Sequence, residues 1–143
     1  MINIFNHFYL ELKPDIFTEL FLVLLADKGS EFSNPSAIEF DTQENPHTKM
    51  FYCNTNAPYQ KGNCANNYKM IQQIIPKGEN IGQYMQEQID LIMSHITFCA
   101  RKKLGNKRSY EIFEFQYAKE LLDAFHLTKI PADEITLNPE LLK

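Results

Sequence analysis

Met85, Ile89, Ile92, Ile96 and Cys99 recur at intervals of four, three, four and three residues. That spacing keeps one apolar row on a single side of a helix of about 3.6 residues per turn. It predicts one long helix over Asn80 to Leu104, ended by Gly105-Asn106, with Arg101, Lys102 and Lys103 in its last turn, where positive charge opposes the helix dipole. A seam of this length needs packed neighbours. Pro14-Asp15 opens a second helix, whose stripe of Ile16, Phe17, Leu20, Phe21, Leu24 and Leu25 runs on to Ala26, with Gly29 as its stop. Leu22 and Val23 make that helix apolar nearly all round, the pattern of an element central to a core or docked in an interface.

The rest of the chain is less periodic. His7 to Leu12 reads as a short strand or a first helical turn. Ala37 to Phe40 and Lys49 to Cys53 are short β-favouring runs around Asn45-Pro46, which predicts an irregular antiparallel hairpin. Cys64 to Ile75 reads as a helix with Asn63 as its cap, although Tyr68 to Ile75 also suits a strand. Tyr110 to Phe115 is strand or helix, Gln116 to Leu127 a helix, and Pro139 to Leu142 a short helical turn in a loosely held tail over residues 132–143. The expected fold class is α+β and predominantly helical. Three to four helices pack with a small antiparallel β element in the first half, in a single domain over residues 1–143.

With 143 residues, 44% of them hydrophobic, the chain is long enough to bury a core. The net charge of -4 disfavours bulk attraction to nucleic acid or to an anionic membrane. The longest apolar stretch, Ile16 to Ala26, contains Glu19 and is too short to span a bilayer. Met1 to His7 lacks a basic n-region, so the chain is expected in the cytoplasm, or exported without a cleaved N-terminal signal peptide. Abundant Asn, Ile, Lys, Phe and Tyr with no Trp suggests an AT-rich bacterial or viral genome.

Three cysteines do not make a disulfide framework and fit reduced thiols. Cys64 follows Gly62-Asn63 near a helix start, a position that favours the reactive thiolate. The string Gly62-Asn63-Cys64 resembles the Gly-Asn-Cys opening of ovarian-tumour-type deubiquitinases, and Gln60 resembles the oxyanion-donating Gln of papain-like folds. Lys61 and Ala65-Asn66 depart from that pattern. The resemblance implies a cysteine hydrolase of peptide or isopeptide bonds, with Cys64 as nucleophile, His47 or His126 as base, and Gln60 at the oxyanion. Cys53, His95 and Cys99 are the alternative ligands of a structural zinc, with His47 and Cys64 nearby in sequence, although no Cys-x-x-Cys knuckle is present. No other cofactor signature occurs.

Arg101, Lys102, Lys103, Lys107 and Arg108, followed by Tyr110, Phe113 and Phe115, have the residue types that grip phosphates and stack bases. The overall acidity favours reading them as a solvated helix end, so nucleic acid is not the expected partner. The first-ranked expectation is a small non-enzymatic interaction module, such as an adaptor, an inhibitor or a chaperone-like protein. It would bind a protein partner, or itself in a dimer, through Phe17, Phe21, Met85, Ile89, Ile92, Met93 and Ile96.

Overall fold

The computed structural model describes residues 2–41, 43–54, 57–117 and 119–143. It is α+β and mostly helical, with seven α-helices and two two-stranded sheets among those residues. The contacts gather into two compact units, Met1–Gly62 and Asn63–Lys143.

In the first unit, α1 (Ile2–Glu11) is followed directly by α2 (Pro14–Leu20), with Pro14 in the first turn. Phe17 of α2 is fully buried, and its ring meets those of Tyr9, Phe21 and His47. Phe17 and Phe21, expected on a partner-binding face, are therefore spent on this unit's own core. The second predicted helix stops at Leu20, and Val23–Ala26 forms β1 instead. Five successive large apolar residues after Leu20 fit a strand as well as a helix, and pairing decides the matter. The strand β2 (Lys49–Tyr52) lies parallel to β1, from Val23 opposite Lys49 to Ala26 opposite Tyr52. Ladder bonds Lys49 N–H to Leu22 O (3.1 Å) and Cys53 N–H to Ala26 O (2.8 Å) bracket the pair, and the Thr48 hydroxyl donates to Phe21 O.

Between the strands, Ser36–Glu39 is a short helix, α3, where a strand was expected. The predicted antiparallel hairpin is thus replaced by a parallel pair, and a single antiparallel bridge, Phe40 to Pro46, remains of it among the described residues. α3 covers one face of the sheet, where Ala26, Ile38 and Met50 form a core cluster. Glu39 Oε1 accepts from Met50 N–H at 2.8 Å and so occupies a donor on the outer edge of β2.

The second unit begins with α4 (Gly62–Ile74), as the sequence predicts. The Asn63 side chain, expected as its cap, lies outside the described side chains. Next comes α5, confined to Gln86–Phe98 rather than running from Asn80 to Leu104. Ile92 and Ile96 join Ile74 and Ile75 in one core cluster, with Ile89 and Met93 packed against it. Four of the five apolar residues expected on a partner-binding face of this helix are thus interior or half-covered, while Met85 is 66% exposed.

At Cys99 the backbone turns extended (ψ 129°), and β3 (Ala100–Arg101) pairs antiparallel with β4 (Lys107–Arg108). Gly105 (φ 64°) and Asn106 (φ 61°) supply the left-handed turn, a conformation that Gly and Asn adopt at least cost. The small antiparallel element of this protein is therefore in the second half of the chain. It is followed by α6 (Ser109–Tyr117) and α7 (Lys119–Ala124). Phe98, Tyr110, Leu122 and Ile130 form a second core cluster in this unit. Along the C-terminal segment, Leu137, Leu141 and Leu142 pack on the Ile92 cluster, and Ser94 Oγ accepts from Thr128 N–H at 3.0 Å.

His95 fixes that segment. Its Nδ1 accepts from Thr136 N–H at 3.1 Å, and burial lowers its pKa below the ordinary value, with Glu134 opposing. The unfolded chain takes up a proton near pH 6.5 that the folded chain refuses. Stability is therefore complete above about pH 6.5 and falls as the pH drops from there toward the lowered folded pKa. Urea midpoints measured from neutral to mildly acidic pH are expected to show this decline, and His95→Asn, which keeps an acceptor, is expected to flatten it. A decline of the same size in the variant would assign it to other groups.

Candidate nucleic-acid interface

The five cations from Arg101 to Arg108 lie on the β3–β4 hairpin and not on a helix end. They differ in how far they are committed. The Arg101 guanidinium donates from Nη1 to Asn67 Oδ1 (3.0 Å) and from Nη2 to Ile96 O (3.3 Å), tying the hairpin to both α4 and the end of α5. Arg108 pairs with Glu111 (3.5 Å) and lies over the Phe98 ring at 6.0 Å. Lys102, Lys103 and Lys107 are exposed and have no ion pair among the described residues. They are the exposed cations of the hairpin, displayed around the Gly105-Asn106 turn.

Beside the hairpin is a concavity of about 810 Å³. Asn66, Asn67 and Met70 of α4, Met93, Ile96 and Thr97 of α5, and Arg101, Lys102 and Lys103 of the hairpin line it. Among the described residues no carboxylate lines it. A chain of net charge -4 thus has an acid-free, cation-walled groove. Screening explains how both hold: beyond about 8 Å at physiological salt the acidic residues elsewhere contribute little. Partial burial of Cys99, next to β3, raises its pKa, with Arg101 opposing, so the thiol stays protonated at neutral pH.

The other predicted sites do not gather in this way. Cys64 is exposed on α4 of the second unit. His126, also in that unit, adopts φ 54° and pairs with Asp90 at 3.6 Å. His47 is buried in the first unit. Its Nε2–H donates to Ile38 O at 2.7 Å, and Nδ1 has no partner. Gln60 Oε1 accepts from Asn54 N–H at 2.9 Å. Both candidate bases and the candidate oxyanion donor thus have structural partners of their own. Among the described residues no group of three or more His, Cys, Asp or Glu side chains could hold a metal ion, so Cys53, His95 and Cys99 are not assembled into a zinc site. No helix among the described residues is long and apolar enough to cross a membrane.

The chain is similar to insertion-sequence transposases. It is 31% identical over 97 residues to the transposase InsI of insertion sequence element IS30A from Escherichia coli, a match covering 68% of this chain and 24% of that protein. It is 28% identical over 82 residues to the transposase for insertion sequence element IS1086 from Cupriavidus metallidurans, covering 57% of this chain and 23% of that one. The chain therefore spans about a quarter of the length of the curated relatives it matches. No protein-family model and no solved structure matches it.

This similarity corrects the functional expectations drawn from composition. The relatives are transposases, not adaptors, inhibitors, chaperone-like proteins or cysteine hydrolases, and the expectation against a nucleic-acid partner is overturned with them. A whole-chain charge does not fix the local field at a cluster of cations. A 97-residue stretch of a 143-residue chain must include residues 47 to 97, and an 82-residue stretch must include residues 62 to 82. α4, one wall of the groove, therefore lies inside both matched stretches. The first half of α4 is rich in Asn, with Asn63, Asn66 and Asn67, a residue type that helix interiors disfavour.

Proposed function

We propose that this chain is a transposase-related DNA-binding segment that grips duplex DNA with the β3–β4 hairpin. The observation that carries the proposal is the display of Lys102, Lys103 and Lys107, free of ion pairs among the described residues, beside the acid-free groove against α4. Lysines of this kind suit phosphates, because a compact ammonium on a flexible stem meets a charge without demanding a fixed geometry. The similarity to transposases supports DNA as the polyanion. Breaking or joining strands is a property of longer proteins, of which this chain covers about a quarter.

The test is fluorescence anisotropy of a labelled duplex of about 20 base pairs against salt. Each phosphate neutralised contributes about -0.9 to the slope of log affinity against log salt. Three lysine contacts predict a slope near -2.7, or a loss of roughly 40-fold between about 50 and 200 mM salt. Absence of binding at the low-salt end, or binding that salt leaves unchanged, would overturn the proposal.

A further inference from the structure

The β3–β4 hairpin is poorly equipped to hold its own shape. Each strand has two paired residues, Ala100 opposite Arg108 and Arg101 opposite Lys107. A ribbon that short is not stable alone in water. It also carries five cations from Arg101 to Arg108, with no carboxylate among residues 100–110. Arg101 and Lys107 are cross-strand partners, and like charges placed opposite one another repel. Left to itself, such a hairpin would splay its lysines apart.

Arg101 supplies the missing restraint. The two terminal nitrogens of its guanidinium reach two different helices. Nη1 donates to Asn67 Oδ1 of α4 at 3.0 Å, and Nη2 donates to Ile96 O near the end of α5 at 3.3 Å. Its own carbonyl oxygen accepts from Asn106 N–H at the turn, also at 3.0 Å. One residue thus links α4, α5 and the tip of the hairpin, and Lys102 and Lys103 follow it directly in the chain. Among the described residues no other hairpin side chain hydrogen-bonds to α4. A planar guanidinium fork can hold two acceptors at a fixed angle, which a lysine ammonium cannot. The link is a poor source of stability, because Arg101 Nε is buried without a partner, and an unpaired buried donor is destabilising.

We infer that Arg101 is a positioning residue for DNA binding: clamped to Asn67 and Ile96, it pre-sets the hairpin so that Lys102, Lys103 and Lys107 meet phosphates without being ordered first. Arg101 acts through those lysines, and its fork is committed to protein acceptors. Asn67 belongs to the same device as the acceptor on α4. Pre-organisation of this kind raises affinity by lowering the ordering cost of binding, with no contact added. The inference rests on the DNA-binding reading and adds to it what holds the cations in place.

The test uses Arg101→Lys and Asn67→Ala, neither of which changes the charge of the chain. Anisotropy of the labelled duplex across salt is expected to show each variant binding about tenfold more weakly, the scale of ordering two or three freed side chains. The salt slope is expected to stay at the wild-type value, because all three lysines remain to release counterions. The double variant is expected to bind no more weakly than either single one, since both changes break one link. Asn67→Gln, which keeps the acceptor on a longer stem, is expected to recover part of the loss. Without DNA, the Asn106 amide is expected to exchange its hydrogen faster in both single variants. Wild-type affinity in either single variant, losses that add in the double variant, or a loss that follows a lowered urea midpoint would overturn this inference and leave the phosphate grip standing. Failure of the wild-type chain to bind any duplex at low salt would remove both.

Discussion

Replacing Lys102, Lys103 and Lys107 together by Ala is expected to lower duplex affinity about 100-fold at low salt and to bring the salt slope close to zero. Each lysine accounts for roughly one unit of that slope when it neutralises one phosphate, and its loss weakens all sequences alike. Exposed side chains at a turn fixed by Gly105 and Asn106 can be truncated without opening a cavity, so the fold serves as its own control. The Arg108→Ala variant makes a useful contrast. Arg108 is already paired with Glu111 and laid over Phe98, so its removal is expected to cost packing more than phosphate contact. Anisotropy at several salt concentrations separates the two. If the triple variant keeps the wild-type slope, the hairpin is not the phosphate-binding element.

The second large effect is on stability. Phe98 is fully buried at the junction of α5 and β3. Its ring is 4.2 Å from that of Tyr110, and Leu122 and Ile130 complete the cluster. Phe98→Ala removes a whole aromatic ring from a packed site, which typically costs about 3–5 kcal/mol through lost transfer energy and the cavity left behind. Whole domains have only about 5–15 kcal/mol to lose. Urea unfolding followed by circular dichroism is expected to show the midpoint falling steeply, whereas Phe98→Leu, closer in volume, is expected to lose much less. Because Phe98 also underlies Arg108 of the hairpin, the Ala variant is expected to weaken DNA binding before it unfolds. A midpoint within error of wild type would mean that the cluster is not a core.

Much of the fold was legible where the signal is local. The helical seam through Ile92 and Ile96, the helix over α4 and the strand at Lys49–Tyr52 follow from periodicity and residue type alone. Misreadings fall where a distant partner decides. Leu22 to Leu25 suits helix or strand equally, and the backbone donors and acceptors of β2 settle it. The residues after Phe98 continue the helical spacing through Cys99, yet the Gly105-Asn106 turn folds them back into a hairpin. That one difference moved Arg101, Lys102 and Lys103 from a helix end, where they oppose a dipole, to a display facing α4.

The sequence by itself set which segments have an apolar side, where left-handed turns are cheap and where the cations are, because these depend on a residue and its near neighbours. Tertiary structure alone decided that β1 is a strand, that the apolar seam is interior rather than a docking face, and that Asn66, Asn67, Lys102 and Lys103 share one groove. Strand pairing, burial and local electrostatic field depend on groups far apart in the chain, and no window of neighbouring residues contains them.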